Sequence, residues 1–161
     1  MQYLKYMLAI LLTVLLFGCA KPSYEKENSV YIVLKTPTFK YADMGFVYEN
    51  KDEVKVEIYG SGQALMRLKI SQDSVCMSRL ECMSKSAFNA QVLNRAYPPN
   101  IMENIFRGKA VFEGVNMIKK SNGFTQKIKK TGKYNVEYTV LNNEILFRDT
   151  INEILIKVIK Q

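Results

Sequence analysis

Three cysteines, fifteen carboxylates and no histidine bound the chemistry open to this chain before any fold is considered. Without histidine, Ser-His and Cys-His nucleophilic pairs, the commonest zinc ligand and the usual neutral-pH base are all missing. The carboxylates are scattered. Glu49, Asp52 and Glu53 surround one turn, while Glu137, Glu144, Asp149 and Glu153 fall on strands or strand ends, and no pair forms an acid/base signature. Gly60-Ser61-Gly62 joins two strands and leads into no helix, so it reads as a turn and not as a phosphate loop. Asn50 to Glu53 is too short for the alternating acidic ligands of a calcium loop. Neither enzymatic activity nor a metal is expected.

Cysteine chemistry remains. Cys19 follows Leu16-Phe17-Gly18 and closes the apolar run Met7 to Phe17, with Lys5 ahead of it. That run is too short to span a bilayer as a mature helix, and the three-part layout resembles a bacterial lipoprotein signal. The resemblance implies cleavage after residue 18, a covalent lipid on Cys19 as the sole attached group, and a polar tether over 19–28. A retained N-terminal anchor helix is the alternative. Cys76 and Cys82 would then meet an oxidising compartment, where a nearby pair closes into a disulfide contributing about 2 kcal/mol. The alternative is two buried free thiols.

The formal net charge is +8, which favours anionic surfaces and says nothing about fold. Its densest source is Lys119, Lys120, Lys127, Lys129, Lys130 and Lys133, a stretch free of Asp and Glu. Lys127, Lys129, Lys130 and Lys133 are the candidate anionic contacts, the competing interpretation being the wet face of a strand. An export signal argues against nucleic acid as the partner.

These residues must be positioned by a single domain over 29–161. Val30 to Leu34 reads as a strand, Thr36-Pro37-Thr38 as a turn and Phe39 to Tyr48 as a second strand. Val54, Val56 and Ile58 then alternate with polar neighbours, Gly60 to Gly62 turns, and Ala64 to Ile70 returns antiparallel. A short strand follows at Val75 to Met77. Ser84 or Ser86 caps a helix burying Phe88, Val92 and Leu93, and Pro98-Pro99 opens another that buries Ile101, Met102, Ile105 and Phe106 and stops at Gly108. Strand candidates resume at 110–112, 115–119, 124–129, 134–141, 144–148 and 153–159. The fold expected is α+β: a curved antiparallel sheet, an incomplete β-barrel, with two short helices packed on its concave face.

Such a sheet is suited to an apolar ligand, with Phe46, Tyr48, Met66, Leu68, Phe112 and Phe147 either lining a cavity or filling a dry core. The order of elements resembles the LolA/LolB superfamily of lipoprotein carriers, LolB in particular. The matching pieces are Cys19, the strand carrying Met44-Gly45-Phe46, the hairpin from Val56 to Leu65 followed by Leu68, and the helical stretch Pro99 to Gly108 before the last strands. That resemblance implies an acyl-chain cavity, a lipid anchor in the membrane, and a periplasmic lipoprotein carrier or its acyl chains as partner. Ala20 after Cys19, where an inner-membrane retention signal has Asp, implies the periplasmic face of the outer membrane. The alternative function is a structural lipoprotein that scaffolds an envelope assembly and binds no ligand.

Overall fold

The computed structural model describes residues 23–77 and 81–161. The expected signal peptide, Cys19 and the first residues of the tether lie outside that range.

Two-residue alternation of apolar side chains builds eleven strands: β1 (Lys26–Lys35), β2 (Lys40–Glu49), β3 (Val54–Gly60), β4 (Gln63–Ile70), β5 (Ser74–Cys76), β6 (Cys82–Ser84), β7 (Met117–Lys120), β8 (Gly123–Lys130), β9 (Tyr134–Leu141), β10 (Glu144–Asp149) and β11 (Ile154–Lys160). Helices α1 (Lys85–Val92) and α2 (Ile101–Arg107) fall between β6 and β7. The strands form one open sheet in the order β6-β5-β4-β3-β2-β1-β11-β10-β9-β8-β7. Hairpins carry β1 through β6 outward to one edge. The helical segment crosses to the far edge, and hairpins bring β7 through β11 back until β11 pairs antiparallel with β1, Val30 opposite Lys160 and Lys35 opposite Leu155.

One face carries the core. Val30, Ile32 and Leu34, then Val54, Val56 and Ile58, and on the returning half Ile154, Ile156 and Val158 are all buried beneath the helices. From the helices come Phe88, Val92, Ile101, Met102, Ile105 and Phe106. α2 contacts both β3 and β10, which stand four strand spacings apart, roughly 19 Å if the sheet were flat. A helix is about 10–12 Å across with its side chains, so the sheet must curve around it.

The caps follow from residue type. Ser84 accepts a hydrogen bond from the Ala87 amide at 3.2 Å and opens α1. Gly108 ends α2 in the left-handed region at φ 64°, where a Cβ would add strain. The prolines lie outside the helix they were expected to begin: Asn100 is the N-cap, and the Pro98 carbonyl accepts from Asn89 Nδ2 and from the Ile101 amide.

Three other expectations change. Residues 110–112 form no strand, because the Gln126 side chain takes the place of a neighbouring backbone. It accepts from the Val111 amide at 2.9 Å and donates to the Val111 and Val115 carbonyls at 3.0 and 2.8 Å. The chain then turns through Phe112 and Glu113 at φ 47° and 56°. Second, β1 begins inside the expected tether, with Lys26, Glu27 and Asn28 paired to Glu49, Tyr48 and Val47. Third, β6 begins at Cys82, where no strand was expected.

Candidate functional site

The strand period divides the six residues expected at a cavity between the two faces of the sheet. Met66, Leu68 and Phe147 are buried on the helix-covered face, and Phe112 packs against the same core, 5.0 Å from the Tyr134 ring and 5.8 Å from Tyr97. Phe46 and Tyr48 point the other way, because Gly45 and Val47 hold the inward positions of β2. Outside, Phe46 stacks on Tyr48 at 5.9 Å and meets Tyr59 edge-on, while Lys55 Nζ lies 3.9 Å from the Tyr48 ring centroid. Burial, with Glu27 nearby, pushes the Tyr48 hydroxyl up to about 12. The six residues therefore do not share one cavity, and beneath the helices the space is occupied by their own side chains.

Two polar clusters hold the helical segment to the sheet. Asp149, which is 1% exposed, accepts from the amides of Asn135 and Ile151 at 3.0 and 2.9 Å, from Asn152 Nδ2 at 2.6 Å and from the Tyr97 hydroxyl. Burial alone would raise its carboxyl, but these donors outweigh burial and keep it below the usual aspartate value. Burial raises the Tyr97 hydroxyl, as does the carboxylate it serves. In the second cluster, Lys85 donates to Glu103 at 2.7 Å and to Asn100 Oδ1 at 3.0 Å, and Arg107 bridges Glu103 at 3.0 Å and Glu49 at 3.7 Å. Glu103 is likewise opposed by burial yet lowered by Lys85 and Arg107. Asp149 is already met by neutral donors and Glu103 by two cations, so both clusters are positioning devices.

The principal opening among the described residues lies along β4. β5 pairs only with Lys69 and Ile70 of that strand, so the ladder between them stops there while β4 runs back to Gln63. A groove of about 1130 Å³ follows this stretch. Phe39, Tyr41, Leu65, Met66, Leu68 and Met77 supply its apolar lining, with Lys55, Arg67 and Lys69 at the rim. Glu57 also lies at the rim and is paired with Arg67 at 3.2 Å and Lys55 at 3.5 Å, while Lys69 meets Glu53 at 2.9 Å. Cys76 and Cys82 stand directly opposite each other at one end of the groove, their sulfurs bonded at 2.03 Å. The disulfide holds β5 to β6, and with neither sulfur a free thiol it offers no nucleophile.

Lys127, Lys129, Lys130 and Lys133 are all exposed at the other side of the sheet, on β8 and the turn that follows it. Lys127 pairs with Glu137 at 3.4 Å, both side chains being well solvated. The structure sets Lys127, Lys129 and Lys130 on β8 and Lys133 in the turn after it, whereas sequence reasoning missed the groove and the Lys85–Glu103–Arg107 cluster. The spacing of Glu103 and Arg107 is a legible one-turn pair, whereas Lys85 joins them only through the tertiary fold. Among the described residues no group of three or more His, Cys, Asp or Glu side chains could hold a metal ion. Comparison with protein-family models and with curated proteins finds no match to this chain.

Proposed function

We propose that this protein is a non-catalytic, lipid-anchored envelope protein of the LolB type, tethered through Cys19 to the periplasmic face of the outer membrane. It takes acyl chains into the groove beside β4 and so assists the localisation of lipoproteins or lipids. The observation that carries this reading is the groove. It is open, at about 1130 Å³ it is roomy against the roughly 300–1,000 Å³ usual for small-molecule sites, and its accessible apolar lining combines exposed Leu65 with the half-buried Phe39, Tyr41 and Met77. The topology, two half-sheets around a helical segment, suits the incomplete barrel that the LolB resemblance implies.

The test is to purify the chain from membranes without denaturation and to identify co-purifying lipid by mass spectrometry, setting aside acyl groups attached at Cys19. Bound lipid at stoichiometric level, displaced by a fluorescent fatty acid and lost in Leu65→Arg, supports the reading. A well-folded protein that carries no lipid and ignores the probe refutes it. The unpaired stretch of β4 favours a second reading, a scaffold that receives a partner's strand at this edge. Photocrosslinkers at Gln63 and Arg67 in intact cells would then trap one dominant protein, even in Leu65→Arg.

A further inference from the structure

The hairpin β7–β8 has a surface that the folding of the domain does not explain. All four residues of β7 are exposed, so neither face of the strand is covered. Met117 is 38% exposed, Ile118 59%, and Val115 just before them 50%. Lysines at a sheet edge are a familiar guard against strand pairing, and Lys119 and Lys120 can serve that purpose. They do not account for three large apolar side chains held in water beside them.

Charge indicates what covers the patch. Lys119 and Lys120 lie toward the hairpin tip and Lys127 beside the start of β7, where its carbonyl accepts from Asn116 Nδ2, and no Asp or Glu occurs from Val115 to Val136; Lys130 and Lys133 lie at the far end of β8, where the Lys133 carbonyl accepts from Asn152 Nδ2. Facing them from β9 is Glu137, paired with Lys127. Exposed aliphatic side chains among lysines suit a bilayer whose headgroups are anionic, the ammonium groups meeting phosphate while the aliphatic groups enter the interface.

The fold also presents the hairpin tip at a suitable end. The Asn142 amide donates to the Asn122 carbonyl at the tip, the Lys160 amide to Asn143, the Gln161 amide to Ser29, and Asn50 Nδ2 to Ser23. This series of contacts runs from the tip, past the β9–β10 turn and the C-terminus, to the start of β1, where the segment leading back to Cys19 joins the domain.

We propose that β7, with Lys119 and Lys120 toward the tip and Lys127 beside its start, forms a second membrane contact, docking the domain against anionic lipid with Met117 and Ile118 at the interface. The placement of this end near a bilayer rests on the lipid-anchor reading above. The chemistry of the patch does not.

The test labels Ile118→Cys in the full chain with an environment-sensitive fluorophore, with Ile151→Cys in the β10–β11 turn as the control at the opposite end of the sheet. Both are read in vesicles of one part phosphatidylglycerol to three parts phosphatidylcholine carrying a headgroup quencher. The label at 118 is expected to be quenched and the label at 151 not. Quenching should fall in molar salt and in pure phosphatidylcholine. Each lysine near such a surface contributes about fivefold to binding, so Lys119→Glu with Lys120→Glu should lower the ratio of quenched to unquenched label at least tenfold, while the paired arginine substitutions preserve it. Equal quenching at both positions, indifference to salt, or a label shielded by a co-purifying acidic protein in place of lipid would overturn the proposal. If mass spectrometry finds no acyl group on Cys19, the anchor reading fails by itself. The same labelled chain is then added to preformed vesicles, where salt-sensitive quenching at 118 alone upholds the patch and its absence removes it.

Discussion

Tyr97 is the side chain through which the segment between the helices grips the returning half of the sheet, and replacing it with Phe isolates one hydrogen bond. The ring is 5% exposed and stands edge-on to Phe147 at 5.9 Å and to Phe112 at 5.8 Å, contacts that Phe keeps. What is lost is the donor to Asp149. A hydrogen bond to a charged group contributes about 1.5–3 kcal/mol, and no cavity is added, so Tyr97→Phe should destabilise by that amount. Asp149→Asn should cost about 3 kcal/mol. Oδ1 can still accept from the Asn135 and Ile151 amides, but an amide group now replaces the oxygen that met the Tyr97 hydroxyl and Asn152. Because Tyr97 and Asp149 are direct partners, the double variant should cost less than the sum by about 1 kcal/mol or more.

Urea unfolding at neutral pH measures all four proteins. Acidification supplies an independent check. The Asp149 carboxyl is held below its ordinary value of 3.8 in the folded protein. Its contribution is therefore present above that value and is lost as the pH falls through the lower folded one. The gap in stability between the parent and Asp149→Asn should shrink over that acid range, while the losses due to Glu53 and Glu103, also lowered in the fold, are common to both proteins. A Tyr97→Phe cost under about 0.5 kcal/mol, or additivity within about 0.3–0.5 kcal/mol, would refute this account of the cluster.

Gly45→Ala should unfold the protein or cost more than about 2 kcal/mol by urea titration, since a Cβ there would sit 2.2 Å from the Glu57 carbonyl oxygen, a backbone atom that β3 holds in register. Lys85→Met should cost about 3 kcal/mol by leaving the inner face of Glu103 without its nearest cation, and adding Glu103→Gln should recover part of that in thermal unfolding. Reducing Cys76–Cys82, or replacing both by Ser, should lower stability by about 2 kcal/mol while leaving the far-UV dichroism of the sheet in place, because the bond closes a loop only six residues long.

Much of this architecture could be read along the chain because its signals are local. Val54, Val56 and Ile58 alternate with Lys55, Glu57 and Tyr59, and the structure buries the first set beneath the helices. Ser84 and Gly108 mark helix ends through their own side chains or lack of one. The segment 110–112 has the look of a strand for the same local reason. Its apolar residues match the pattern, yet a single side chain from β8, Gln126, satisfies the backbone that a neighbouring strand would have satisfied. Nothing within those residues signals that substitution.

Residue type and spacing alone determined the basic stretch without acids, the absence of histidine chemistry, the alternation of the strands and the two short helices, because each depends on neighbours a few residues apart. The tertiary structure decided which face each strand turns inward, and so sent Phe46 and Tyr48 outside while Met66, Leu68 and Phe147 went within. It also decided that β5 would cover only the end of β4, opening the groove, and that Lys85 would meet Glu103 eighteen positions away. Periodicity specifies that alternate residues share a face but not which face is covered. The helical segment settled that by crossing one side of the sheet and burying it.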